Sequence, residues 1–354
     1  MDTRGGGVGD GSATVGVTEE SRGRPRGRPR VRPGVRQSGV TELLVLSEHD
    51  VRDVMSLDEL AEAIRSALVA LSENSLSVPT RIAARAPHGL LAAMPGYVAG
   101  LGLAAKLVSV FPGNAAIGRP SHQALIAVFD EDTGAPCALM DGTYITAVRT
   151  AVTSAVSAIA LARPQPRWMA IIGSGVQAEA HIDTFKHLIG PDEIRVVTRS
   201  ESSAKRIASR HPGILALTDL EGAVEGADIV CCCTDAAEPV IDDTWIKPGA
   251  FVCSVGSGRE LPCELLARAR VFVESRSTAT AAIPAGAVEL QGVDPASLTE
   301  LGQVLSGQSR GFVGSEEIAV YKSTGHASED VAAAAVVLRR ATAGGKGTAV
   351  PLGW

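Results

Sequence analysis

Residues 168–178 read W-M-A-I-I-G-S-G-V-Q-A, and this run constrains the fold more tightly than any other in the chain. Five largely apolar residues, 168–172, have the pattern of a strand buried on both faces. Gly173, Ser174 and Gly175 follow at once, and a helix-like stretch opens at Val176. Strand, glycine turn and helix start in this order make a dinucleotide site of the form G-x-G-x-x-A. Gly173 permits the tight turn, Gly175 lets the backbone approach a pyrophosphate, and Ala178 lets helix and strand pack closely. The free N–H groups and positive dipole end of the helix then face the phosphates. Val176 and Gln177 join the two glycines as expected cofactor contacts.

Beyond residue 168 the chain alternates. Strands are expected at 168–172, 194–198, 215–217, 229–233, 250–255 and 271–274, with helices at 176–188, 201–210 and 263–269 between them. Such alternation requires right-handed crossovers and predicts an α/β fold, a doubly wound parallel sheet. Before residue 168 the pattern is mixed. Leu60, Ile64, Leu68 and Leu71 recur at helical spacing, and Ser56 with Glu59 reads as a capping box that starts this helix. Short β-rich pieces fall at 41–46, 103–110 and 124–129, and an alanine-rich helix is expected at 151–162. A last long helix, 330–343, lies beyond the parallel-sheet region.

Residues 1–39 differ from the rest. They carry eight Arg against four acids and almost no large apolar residues, so they cannot bury a core. The run R-P-R-G-R-P-R at 24–30 is similar to a minor-groove AT-hook, but it reads first as a solvated basic tail. With the tail at +4 and the whole chain at −6, the remaining body carries −10, which argues against general nucleic-acid binding. No apolar run reaches the ~18–20 residues of a membrane span, and no signal peptide is evident, so neither membrane association nor export is expected. The six cysteines lack zinc spacing, and three of them, 231–233, are consecutive in an apolar run. No metal site is expected, and a reducing cytoplasm fits.

Several motifs now bear on function: V-P-T-R at 78–81, Lys106 with F-P-G-N at 111–114, D-T-G at 132–134, T-A-V-R-T-A at 146–151, G-S-G-V-Q-A at 173–178, and K-S-T-G at 322–325 with Asp330. Together they resemble the ornithine cyclodeaminase/μ-crystallin family over about residues 41–345. The resemblance implies two domains: a Rossmann dinucleotide-binding domain at 151–319, and a mixed α+β substrate and dimerisation domain built from 40–150 and 320–354, with 1–39 as a disordered tail. It implies a homodimer. It implies that Arg81, Lys106 and Arg149 face the substrate carboxylate and the reacting nitrogen, two guanidinium forks clamping the carboxylate while the lysine supplies a proton. Ser121 and Asn114 are expected near the nicotinamide or its phosphates, and Arg149, Thr234, Val255 and Ser323 are also assigned to the cofactor. His122 and His326 lie in or beside these motifs and read as structural before they read as catalytic. Glu274, at a strand end, reads as a structural partner.

Two departures from the family pattern matter. Cyclodeaminases carry an aspartate just after a V-G-G motif; here the run is V-G-S-G-R-E-L-P-C, and Gly258 occupies that position. Glu260 is the nearby acid that might replace it, two residues out of register, with Arg259 between. At the end of the second strand, where NAD-preferring sites hold an acid for the ribose diol, the chain reads V-T-R-S. Thr198, Arg199 and Ser200 suit a 2′-phosphate, so NADP is expected over NAD, unless Arg199 merely stacks on the adenine. The leading expectation is an NAD(P)H-dependent imine reductase or amino-acid dehydrogenase acting on a small imino or amino acid. Two others stay open: deaminating cyclisation of ornithine to proline, and a non-catalytic μ-crystallin-like binding protein.

Overall fold

The computed structural model describes residues 42–312 and 314–353. The basic segment 1–39, and with it the tail and AT-hook expectations, lies outside the described residues.

The chain builds two sheets in turn. The first begins with β1 (Glu42–Leu46), and two helices follow, α1 (Glu48–Val54) and α2 (Leu57–Ser72). Ser56 caps α2 by accepting from the Glu59 N–H. The reciprocal half of the expected capping box is missing, because the Glu59 carboxylate is drawn to Arg339 and Arg340, 2.6 Å away in each case. Strands β2 (Leu76–Ser77), β3 (Ile82–Ala86), β4 (Gly89–Val98), β5 (Gly102–Val110), β6 (His122–Phe129) and β7 (Pro136–Asp141) come next. They are not isolated pieces but one eight-stranded, mostly antiparallel sheet, in the order β16-β1-β7-β6-β5-β4-β2 with β3 on β4; β16 (Thr348–Pro351) is the last strand of the chain.

Helix α3 (Thr143–Leu161) starts eight residues before the expected 151, and Arg149 therefore lies on it. By length and composition α3 could cross a membrane, contrary to the reading that no segment could, but most of it is buried inside the protein. It packs as a core helix: Ala147, Ala151 and Ala155 let neighbouring elements come close.

The second sheet follows the predicted alternation: β8 (Trp168–Ile172), α4 (Val176–Leu188), β9 (Glu193–Val197), α5 (Glu201–Arg210), β10 (Leu215–Leu217), the short helix α6 (Leu220–Val224), which the sequence reading did not place, β11 (Ile229–Cys232), β12 (Phe251–Ser254), α7 (Cys263–Arg268) and β13 (Arg270–Val273). After α8 (Arg276–Ala279), β14 (Thr299–Glu300) and α9 (Leu301–Leu305) comes β15 (Ala319–Lys322), a strand the sequence reading missed. All pairs are parallel, in the order β10-β9-β8-β11-β12-β15-β13-β14. Strand order reverses between β8 and β11, the place where such sheets bind ligands at their C-terminal edge. The expected boundary at 150/151 falls inside α3, and that at 319/320 falls inside β15. Helix α10 (Ala327–Gly344) returns to the first sheet and packs on β4, β5, α2 and α3. Cys231, Cys232, Cys233 and Cys253 are buried, and all six cysteines are free thiols.

Candidate active site

The C-terminal edge of the parallel sheet gathers most of the expected cofactor residues; Ser121 instead directly precedes β6 of the first sheet, and Arg149 lies on α3. Gly173 adopts φ +127°, and a Cβ there would lie 2.5 Å from the Cys233 carbonyl oxygen, so only glycine fits. Gly175 is the N-cap of α4, no side chain caps this helix, and a Cβ at 175 would meet no protein atom within 4 Å. The start of α4 is thus uncrowded and without a side-chain cap for its first N–H groups, and Val176 is exposed beside it. An uncapped helix start under an open glycine turn fits a pyrophosphate. Ala178 is fully buried against the sheet, as expected.

Thr234, Val255 and Ser323 follow β11, β12 and β15 at the same edge. The Thr234 N–H and hydroxyl both donate to Glu260 Oε1, at 2.6 and 2.7 Å. Glu260 Oε2 accepts from Ser254 Oγ and the Gly256 N–H. Glu260 is completely buried, and these four donors hold it in place, which removes it as a replacement for the missing cyclodeaminase aspartate. Nor does position 258 have room for one: a Cβ on Gly258 would lie 1.9 Å from the Ala236 carbonyl oxygen. Arg259 is exposed.

At the end of β9, Arg199 and Ser200 are exposed. Ser200 Oγ caps α5 by accepting from the Ser203 N–H, and Thr198 Oγ1 donates to the Ser200 carbonyl, so Thr198 shapes this loop rather than facing outward. Asn114 likewise holds its own loop, donating to the Pro120 carbonyl at 3.0 Å. Ser121 Oγ lies 3.1 Å from His122 Nδ1. His122 is on the same face of the sheet as Lys106; dense surroundings lower its pKa although it remains accessible, as in a cleft.

The three expected cations converge. Lys106 points to the inner face of β5 and is 2% exposed. Its Nζ lies 2.8 Å from Oδ1 and 2.8 Å from Oδ2 of Asp330. Arg149 Nε donates to Asp330 Oδ1 at 3.1 Å, and Nη1 to Glu329 Oε2 at 2.5 Å. Arg81 Nη2 donates to the carbonyls of Thr324 and Gly325 at 2.5 and 2.7 Å. The expected two-fork clamp is thereby narrowed. Two carboxylates engage the fork of Arg149 and leave its Nη2, whereas Arg81 keeps Nε and Nη1. Glu329 was missed by the sequence reading; its signal is an acidic pair opening an alanine-rich helix right after K-S-T-G. His326 is the N-cap of α10, with Nδ1 accepting from the Ser328 N–H at 3.3 Å. Burial pushes its pKa down to about 4, which keeps it a neutral structural cap.

Electrostatics set the site's protonation. Burial pushes the Lys106 ammonium down to about 8, while Asp330 resists. Burial pushes the Glu329 carboxyl up to about 8 against the pull of Arg149, and its Oε1 is buried without a hydrogen-bond partner among the described residues. Burial also works against ionisation of Asp330, but Lys106 and Arg149 overcome it and hold its pKa below the usual value. Glu274 accepts hydrogen bonds from Ser323 Oγ and from the N–H groups of Thr324 and Gly325. Lys106, Arg81 and Arg149 thus gather around three acids, Asp330, Glu329 and Glu274.

With this geometry in view, the comparisons with known proteins are decisive. The sequence profile of the ornithine cyclodeaminase/mu-crystallin family matches residues 41–345. The chain belongs to that family. It is 36% identical over 304 residues to the ketimine reductase mu-crystallin of Mus musculus, covering 82% of this chain and 95% of the mouse protein. The fold matches that of Thermococcus litoralis Δ1-pyrroline-2-carboxylate reductase in complex with NADH and L-proline, with a TM-score of 0.81 and 31% identity over 87% of this chain and all of that one. It also matches an archaeal alanine dehydrogenase dimer with bound NAD, with a TM-score of 0.82 and 28% identity over 88% of this chain and all of that one.

Proposed function

We propose that this chain reduces a small α-imino acid, cyclic or linear, with NAD(P)H, or oxidises the corresponding amino acid in the reverse direction. It is an NAD(P)-dependent oxidoreductase of its family. The observation that carries the reading is the buried Lys106, held 2.8 Å from Asp330 beside Arg149, with burial pushing its ammonium down to about 8. When bound, the nicotinamide supplies or takes the hydride. The free edge of Arg81 and Nη2 of Arg149 hold the substrate carboxylate. Lys106 holds a proton at the imine nitrogen, which raises the electrophilicity of the adjacent carbon, and takes that proton back in the oxidative direction. The joint presence of Arg81, Lys106 and Arg149 around one site speaks against a pure binding protein.

Deaminating cyclisation is disfavoured, because the backbone at Gly258 lies against Ala236 and Glu260 is engaged elsewhere. NADPH is favoured over NADH by the exposed Arg199 at the end of β9 and by the lack of an acid there. A homodimer is supported by an apolar outer sheet face: Ile82, Leu91, Leu107 and Leu125 are all exposed. The free thiols are in keeping with a cytoplasmic setting.

The test is a substrate panel. NADPH and NADH consumption is followed with Δ1-pyrroline-2-carboxylate, Δ1-piperideine-2-carboxylate, and pyruvate plus amines, alongside proline formation from ornithine. Imine-dependent oxidation of the cofactor is expected. Proline formed from ornithine without net cofactor turnover would replace this reading with the cyclodeaminase one.

A further inference from the structure

Glu274 directly follows β13, is completely buried, and spends its whole carboxylate on one short turn. Its Oε1 accepts from Ser323 Oγ at 2.6 Å and from the Gly325 N–H at 3.0 Å; the Thr324 N–H lies 3.2 Å from both oxygens. That turn leaves β15, the strand beside β13. The N–H groups of Thr324 and Gly325 donate to Glu274, and the carbonyls of the same two residues accept from Arg81 Nη2. Gly325 adopts φ +67°, and a Cβ there would lie 2.8 Å from Arg149 Nη2 and 2.9 Å from Nη1. The bare backbone of Gly325 is therefore the floor on which the Arg149 guanidinium lies. One turn touches both guanidiniums, and one carboxylate holds the turn.

We propose that Glu274 is the positioning residue of the carboxylate clamp: it fixes the 323–325 turn, and the turn fixes where Arg81 and Arg149 point. This rests on the reading that those two arginines take the substrate carboxylate. Glu274 lies completely buried behind the turn. It acts from the far side of the turn, and its negative charge also favours both guanidiniums electrostatically. The peptide unit between Thr324 and Gly325 is polarised from both ends, by Glu274 at its N–H and Arg81 at its carbonyl, which stiffens the arrangement beyond either contact alone.

The test compares Glu274→Gln, Gly325→Ala and Arg81→Ala by steady-state imine reduction and by fluorescence titration of NADPH, with circular dichroism to confirm folding. Glutamine keeps the size but turns an NH2 group toward donors. Alanine at 325 leaves Glu274 intact and pushes on Arg149. In both variants the substrate KM is expected to rise about tenfold or more, well beyond the change in cofactor Kd and with a smaller fall in kcat, the signature of lost substrate binding. An unchanged substrate KM in folded Glu274→Gln, or equal losses in KM, kcat and cofactor affinity, would overturn the proposal. If Glu274→Gln does not fold, an unchanged KM in Gly325→Ala overturns it. Arg81→Ala separates the two readings. No KM change there removes the carboxylate assignment itself, whereas a raised KM there with unchanged KM in the other two removes only the positioning role.

Discussion

Lys106 and Asp330, 224 residues apart in sequence, form a completely buried ion pair with Nζ 2.8 Å from Oδ1. Arg149 shares the same carboxylate. Asp330 is thus the common counter-ion of Lys106, the proposed proton carrier, and of Arg149, one proposed arm of the clamp. Asp330→Asn is expected to leave both cations under-compensated, to lower kcat/KM at least 100-fold, and to cost about 3–5 kcal/mol of stability, as breaking a buried pair does. Kinetics and denaturant unfolding of the purified variant check both figures.

The pH dependence follows from Lys106 and Glu329, both near 8. In the proposed mechanism imine reduction uses the proton on Lys106, so its rate is expected to fall as pH rises through about 8, and amino-acid oxidation to rise over the same range. The two groups interact, so the apparent value belongs to the cluster. Stability carries opposite signs. The raised pKa of Glu329 contributes stability below about 4.5 that is lost as pH rises toward 8. The lowered pKa of Lys106 contributes stability above about 10.5 that is lost as pH falls toward 8. Glu329→Gln is expected to abolish the acid-side slope. Rate and unfolding profiles between pH 5 and 10 test this.

Arg199→Ala is expected to reduce the ratio of NADPH to NADH affinity by about tenfold, on the order of one charge-assisted contact to a phosphate. Titrating both cofactors decides it: an unchanged ratio would mean that Arg199 only covers the adenine.

Gly258→Asp restores the residue type that cyclodeaminases carry, yet it is expected to give no proline from ornithine. The new Cβ meets the Ala236 carbonyl, and the strain is expected to cost about 1–3 kcal/mol. Product analysis and a melting curve suffice, and efficient cyclodeamination would show that the loop can open.

Leu107→Glu, on the exposed apolar sheet face, is expected to convert a dimer into a 36.4 kDa monomer in light scattering. Should the unmodified chain itself run as a monomer, that face needs another partner.

Six strands of the parallel sheet, β8 to β13, were legible because their signals are local, as in the apolar run followed by a glycine that the backbone at 173 demands; β14 and β15 were not. The first sheet was less so. β4 contains Gly89, Pro95 and Gly96 and few β-branched residues; pairing with β3 and β5 makes it a strand, not its own propensity. The start of α3 was hidden by Thr143, Tyr144 and Ile145, which favour strands. Glu329 reads locally as an ordinary first-turn acid, and its partner Arg149 is 180 residues away. Glu59 looked like half of a capping box until Arg339 and Arg340, far along the chain, claimed it. Long-range ion pairs leave no periodic trace.

The late insertion of β15 bears on how the protein is made. β13 reaches the body of its sheet only through β15, which is synthesised some forty-five residues later and slots between β12 and β13. Until residue 322 has left the ribosome, the nucleotide-binding sheet has a gap in its middle, with two bare strand edges facing each other across it. Such edges invite pairing with the wrong chain. A nascent chain stalled short of β15 is therefore an aggregation hazard although most of its dinucleotide fold has already emerged, and the clamp turn at 323–325 comes into being only at the moment that gap closes.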